Sequence, residues 1–270
     1  MAQLVERGYS RAQIKENLAQ GTLYRAARQW FADQHTPTEP IRAVQLGGRL
    51  GCVSACRHHE LWVPHDRDLH VAMNPGRALP VNPPAGVQFH RLSTPCATAV
   101  LPLEDAVAQV VQRHDVETGL IVLESAVNSG RLHPGDARHI LNGLPARKAR
   151  AAQFFSPLAE SGSETRLRLF FQRRRIPVQP QARIPGVGRV DLLVGRSWIV
   201  EADSTAHHSA RLDVRKDRAR DVNAQEQGYD RLRLSYEQIW YSWEQTQLFL
   251  VSKLEIKAHL RPPEPLYRSV

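Results

Sequence analysis

The stretch from Gly188 to Asp203, GRVDLLVGRSWIVEAD, decides the reading of this chain. It holds two short apolar runs separated by Gly195. Runs of about four to eight such residues between turn residues read as strands. The pattern predicts one strand over Arg189–Val194 and another over Trp198–Asp203. Asp191 falls inside the first. An aspartate within an apolar strand is costly to desolvate unless it is paired or binds a cation, and an edge-strand aspartate facing water is the competing reading. In the second strand the alternation of side chains puts Glu201 and Asp203 on one face and Val200 and Ala202 on the other. Two carboxylates on one face repel, and a divalent cation is the simplest way to offset that. Pairing of the two strands would set Asp191 beside them.

Upstream, Val178–Ile184 and the turn Pro185-Gly186-Val187-Gly188 complete a predicted hairpin. Before it, Ser161–Arg175 carries an apolar helical stripe of Leu167, Phe170 and Phe171. Glu164 stands three residues after Ser161, which is the spacing of a capping box. Downstream, His207 and His208 follow the carboxylates at the C-terminal end of a strand, where open α/β sheets place their sites. Either could activate water or protonate a leaving oxygen, and a surface histidine pair is the plainer alternative. Arg211–Gln227 reads as a helix in which Arg211, Arg215, Lys216, Arg218 and Arg220 alternate with Asp213, Asp217 and Asp221. That is either a solvated, ion-paired helix or a phosphate-contacting face. A half-buried strand over Tyr229–Leu234 and a helix from Tyr236 to about His259 follow. Trp240, Trp243, Leu248, Phe249 and Leu254 on that helix read as core or contact surface. The alternation of helix and strand from 156 to 270 is an α/β pattern.

The N-terminal half has a different texture. Residues 1–36 form a small basic segment with Ser10 as the N-cap of a helix over Ser10–Ala19, an apolar face of Ile14 and Leu18, and a stop at Gly21. Thr22–Ala32 fits either a second helix or a hairpin. Gln34–Pro40 reads as an extended linker. A middle region, 37–155, has strand-like segments at Leu61–Val63, Leu69–Met73 and Val87–His90. Helices follow over Leu103–Arg113, Thr118–Ser129, Pro134–Asn142 and Ala146–Phe154. Cys52, Cys56, His58 and His59 cluster in sequence, but their spacing fits a zinc site poorly. They read as buried cysteines beside surface histidines.

The formal net charge of +9 favours a polyanionic partner, because Lys and Arg gain by releasing phosphate counterions. Three cysteines cannot all pair within one chain, and the chain starts without a secretory pattern, so a reducing cytoplasmic setting is expected. No apolar run is long enough to cross a bilayer, and nothing calls for an organic cofactor.

From Ser161 to about Ile239 the chain resembles the PD-(D/E)XK nuclease superfamily. More narrowly, it is similar to domain-of-unknown-function family 559, related to very-short-patch-repair endonucleases. The residues that carry this are Ser163-Glu164, Gly188-Arg189-Val190-Asp191 and Val200-Glu201-Ala202-Asp203 with His207-His208. Lys216 to Asp221 and Gly228 to Arg233 continue the match. The resemblance implies a Mg²⁺-dependent (or Mn²⁺-dependent) phosphodiesterase acting on DNA. Asp191, Glu201 and Asp203 would hold the metal, Glu164 would stand close by, and His207 or His208 would assist proton transfer. Two departures stand out. The superfamily pattern has Lys where this chain has Asp203, an exchange the narrower family shares, and Ser204 replaces a Gly usual in that family.

Upstream, Gly8–Ala32 with the region to about Phe155 is similar in layout to AbiEi-type antitoxins. That implies a winged-helix module whose wing is Thr22–Ala32 and whose recognition helix is Ser10–Ala19, with Arg11 and Lys15 toward DNA. The Gly-Val-Tyr ending usual for that wing is Gln29-Trp30-Phe31 here.

The expected architecture is α/β: a small N-terminal winged-helix-like module, an α/β middle domain and a C-terminal restriction-endonuclease-like domain with a central mixed sheet flanked by helices. Two functions compete. One is a DNA endonuclease, alone or as a homodimer, with an N-terminal DNA-binding module. The other is an antitoxin-like DNA-binding regulator on a nuclease fold that no longer cuts.

Overall fold

The structure, a computed structural model, describes residues 8–203 and 211–266, and the side chains of all of these except 211–217. Ser204, His207, His208 and the side chains of Arg211, Arg215 and Lys216 therefore lie outside the described residues. The chain is a mixed α/β protein that divides into two compact units, Met1–His114 and Asp115–Val270. Of the helices expected in the region read as a middle domain, Leu103–Arg113 belongs to the first unit and the three after it to the second.

In the first unit, helix α1 (Arg11–Ala19) starts with a full capping box. The Ser10 hydroxyl accepts from the Gln13 amide, and the Gln13 side chain accepts from the Ser10 amide. Ile14 is the residue it buries, while Arg11 and Lys15 are exposed. Thr22–Ala32, open between helix and hairpin in the sequence, is a hairpin of β1 (Leu23–Ala27) and β2 (Trp30–Asp33). The stretch read as a linker, Gln34–Pro40, is a turn that ends in the start of a helix, because α2 runs from Thr38 to Gln45 with Pro37 as its N-cap. Proline is tolerated in a first turn, where its missing N–H has no intrahelical acceptor to lose. Pro40, Ala43 and Val44 are its buried face.

A three-stranded sheet follows, ordered β3 (Arg49–Leu50), β4 (Leu69–Met73), β5 (Val87–Arg91). β3 is antiparallel and β5 parallel to β4, and β4 is buried at all of its positions. Leu61–Val63, expected as a strand, is irregular. Cys52–His58 is a helix, α3, and α4 covers Leu103–Arg113. The step from β3 into α3 is possible only at Gly51. A Cβ there would sit 2.7 Å from the Ala72 Cβ and 2.9 Å from the Gln109 Oε1.

The second unit opens with α5 (Val116–Asn128), capped by the Asp115 carboxylate on the Glu117 and Thr118 amides. Helices α6 (Pro134–Asn142), α7 (Ala146–Ala151) and α8 (Gly162–Arg173) follow. A four-stranded sheet then has the order β6 (Val178–Ile184), β7 (Gly188–Val194), β8 (Trp198–Ala202), β9 (Asp230–Leu234). The first three strands are an antiparallel meander, and β9 returns parallel to β8 after helix α9 (Arg211–Glu226). One face packs Leu192, Val194, Trp198 and Val200 against Leu167, Phe170 and Phe171 of α8. A second core cluster gathers Ala182, Ile184, Val190 and Ile199 around Ala224 of α9. The helix expected from Tyr236 to about His259 is broken after Trp240 into α10 (Tyr236–Trp240) and α11 (Trp243–Glu255). The break is stabilised by the Thr246 hydroxyl, which donates to the Gln238 carbonyl.

The centre of this unit contains an ion pair. Glu124 of α5 and Arg168 of α8 are each 1% exposed. Arg168 donates to both Glu124 oxygens at 2.6 and 2.8 Å. The Thr165 hydroxyl and the Ser156 amide supply two further bonds to the same carboxylate, so its lone pairs are well satisfied.

Candidate functional site

Glu164, Asp191 and Glu201 come from three elements. Glu164 lies in the first turn of α8, where the Ser161 hydroxyl accepts from its amide. Its carboxylate does not turn back to complete a capping box. Its Oε2 accepts instead from the Glu160 amide at 3.1 Å and from the Gln181 side chain at 2.7 Å. The capping reading of the sequence thus holds for the amide of Glu164 and fails for its carboxylate, which is 6% exposed.

Asp191 and Gln181 mark a disturbance in the sheet. The β6–β7 ladder pairs Pro180 with Leu192 and Ala182 with Val190, leaving Gln181 across from Asp191 outside the pairing, with its φ at +51°. On the other side the β7–β8 register pairs Leu192 with Val200, and its next step sets Asp191 opposite Glu201. There the Asp191 Oδ2 accepts the Ala202 amide at 2.9 Å, so a side chain replaces the backbone partner. The carboxylates therefore gather where the ladder opens.

Glu201 is enclosed by arginines. Arg231 donates from Nε to Oε2 at 2.7 Å, Arg233 does so at 3.3 Å, and Arg220 lies 4.0 Å from Oε1. Arg231 and Arg233 also pair with Asp221 of α9. Arg220, read from the sequence as a phosphate contact, donates to the Val187 and Arg189 carbonyls and so braces α9 against the β6–β7 turn. Arg218 is exposed. Asp203 is also exposed, one residue past β8, with its amide on the Leu234 carbonyl.

The charge balance is uneven. Burial, with the Asp191 charge added, pushes the Glu164 carboxyl up to about 7. Burial also raises Asp191, and the charges of Glu201 and Glu160 push the same way against the Ala202 amide. The Gln181 Oε1 is buried with no hydrogen-bond partner among the described residues. Carboxylates held above their ordinary range beside an orphaned oxygen are a donor set that suits a hard divalent cation. Arginine already balances Glu201, so the uncompensated charge rests on Glu164 and Asp191.

A pH dependence follows. Glu164 binds its proton more tightly folded than unfolded, so its share of stability is full below about pH 4.5 and is lost as pH rises through about 7. Glu164→Gln should flatten the decline of Tm across that window and melt above wild type at about pH 8. Parallel melting curves for the two proteins from acid to mild alkali would rule this out.

The sequence reading missed a second constellation, in the first unit. Cys52, His70, His90 and His114 bring one ligand atom each to within 4.8 Å of one another, a group that could hold a metal ion. Of the sequence-adjacent Cys52, Cys56, His58 and His59, Cys52 alone takes part. Cys56 is buried, and the His59 Nε2 lies 2.7 Å from the Leu101 carbonyl oxygen. The other ligands sit on separate elements with no short spacing to betray them.

Among the described residues no helix is long and apolar enough to cross a membrane. No protein-family model matches the chain, and no curated protein matches it.

Proposed function

We propose that this protein is a metal-dependent DNA endonuclease that hydrolyses phosphodiester bonds at the Glu164–Asp191–Glu201 site. The observation that carries the proposal is the pair of carboxylates, buried Glu164 and half-buried Asp191, raised above their ordinary range where the sheet ladder opens. Asp191 and Glu201 would hold Mg²⁺ or Mn²⁺, with Glu164 and Asp203 near. When bound, the metal polarises the phosphate and lowers the pKa of the attacking water. Glu164 keeps a proton available near neutrality, the range in which a carboxyl can serve in proton transfer. Gln181 orients Glu164 through its amide. Arg218, with Arg11 and Lys15 on α1, offers exposed cations for phosphate contacts.

The alternative, a DNA-binding regulator that does not cut, is favoured by one observation: Arg231 and Arg233 already balance Glu201. Supercoiled plasmid, linear duplex and single strand, each with Mg²⁺, Mn²⁺ or EDTA, separate the two. A nuclease cleaves with metal, stops in EDTA and is silenced by Glu201→Ala. A regulator binds DNA without cleaving it, equally in wild type and variant.

A further inference from the structure

We propose that Cys52, His70, His90 and His114 bind a structural zinc ion that ties the first unit together. The four ligand atoms are the Cys52 Sγ, the His70 Nδ1, the His90 Nε2 and the His114 Nε2, all within 4.8 Å of one another. The His70 and His90 nitrogens are 2.7 Å apart, and the Cys52 sulfur is 3.0 Å from the His114 nitrogen. Tetrahedral zinc spaces nitrogen and sulfur ligands roughly 3.3–3.7 Å apart, so seating the ion asks these pairs to part by less than about 1 Å. The three rings are already in mutual contact, with His70 stacked on His90 at 4.9 Å and 5.3 Å from His114.

The tautomers favour this use. The Asp66 Oδ2 lies 3.0 Å from the His70 Nε2 and takes its proton in a hydrogen bond, which leaves Nδ1 a lone pair turned to the group. A carboxylate behind a ligating histidine is the usual way to fix ring and tautomer at a metal. Burial pushes the Cys52 thiol up to about 12 and, helped by the neighbouring imidazoles, lowers His90 to about 4. Cys52 thus starts as the protonated thiol. Binding forms a Zn–S bond, breaks the S–H bond and releases the proton to water.

One thiolate and three imidazoles suit borderline-soft zinc and not Mg²⁺, which keeps this site apart from the carboxylates of the second unit. Four protein ligands leave no open position, the mark of a structural centre. The elements joined are the start of α3, β4, β5 and the end of α4. They need such a staple, because β3 has two residues and Cys52 is held in the left-handed region at φ +50°.

The test is the metal content of the full chain purified without chelators, in wild type, Cys52→Ser, His90→Ala, Asp66→Asn and Asp191→Ala. We expect about one zinc per chain in wild type and in Asp191→Ala, and little in Cys52→Ser and His90→Ala. Asp66→Asn should bind zinc about 10–100-fold more weakly. Cobalt-loaded wild type should show a thiolate-to-cobalt band that Cys52→Ser lacks. If Cys52→Ser fails to fold, wild type carries the test, because a chelator should lower its Tm and added zinc restore it. A folded, metal-free wild type that takes up no zinc would overturn the proposal, as would equal zinc in wild type and both ligand variants. No readout here depends on DNA cleavage, so failure of the nuclease reading leaves this result untouched, and the reverse also holds.

Discussion

Asp191→Ala should abolish metal-dependent DNA cleavage while leaving a folded protein. The loss should be on the order of 10³-fold or more, since each 1.36 kcal/mol of lost transition-state stabilisation is about tenfold in rate. The fold should survive because two effects of the substitution oppose each other. The Ala202 amide loses its acceptor, at a position only partly buried. Against that, Glu164 and Glu201 lose a repelling neighbour. The Glu164 carboxyl should move back toward its ordinary range, so the variant should lose part of the stability decline between acid and neutral pH. Mg²⁺ should raise the Tm of wild type near pH 8 and leave that of Asp191→Ala unmoved, because a ligand that binds only the folded state stabilises it by mass action. Plasmid cleavage, circular dichroism and melting with and without Mg²⁺ read all three effects. Undiminished cleavage by a folded Asp191→Ala would remove the site assignment.

Arg168→Leu should cost about 3–5 kcal/mol, lowering Tm by roughly 10 °C. The arginine is 1% exposed and donates to both oxygens of an equally buried Glu124. Removing it leaves a carboxylate in the core with only the Thr165 hydroxyl and the Ser156 amide for support. It also strands the Phe154 carbonyl, which the same guanidinium holds. Pairing Arg168→Met with Glu124→Gln should recover most of the loss, because no bare charge remains. Urea unfolding of both variants decides the matter. A cost below about 1 kcal/mol for Arg168→Leu would show that the charge finds water or another partner.

In the second unit β7 and β8 were legible as short apolar runs bounded by Gly188 and Gly195, β6 through the Gly186–Gly188 turn, and β9 as a half-buried alternation. Asp191 and Glu201 stood out as charges within those runs, and the structure sets them across from each other. Asp203 did not follow from the alternation, because β8 ends at Ala202. The residues that neutralise Glu201 were not legible, since Arg231 and Arg233 reach it only through the β8–β9 pairing. The Glu124–Arg168 pair and the Cys52–His114 contact likewise join distant elements, and local periodicity does not report such contacts. Gln34–Pro40 was misread because two prolines suggest extension unless their place in a first helical turn is recognised. The break after Trp240 was missed because its compensating bond comes from Thr246, in the next helix.

The order of the second sheet also bears on how it assembles. β6, β7 and β8 are joined by short turns and can zip locally, whereas β9 must wait for the crossover through α9. Closing that longer loop costs entropy before any β8–β9 bond repays it, which favours docking of β9 late in folding. Asp191 and Glu201 would then face each other on the nascent meander before Arg231 and Arg233 arrive. For that interval the growing sheet carries its acidic residues unneutralised, and cations in the surrounding solution become, in effect, participants in the folding pathway.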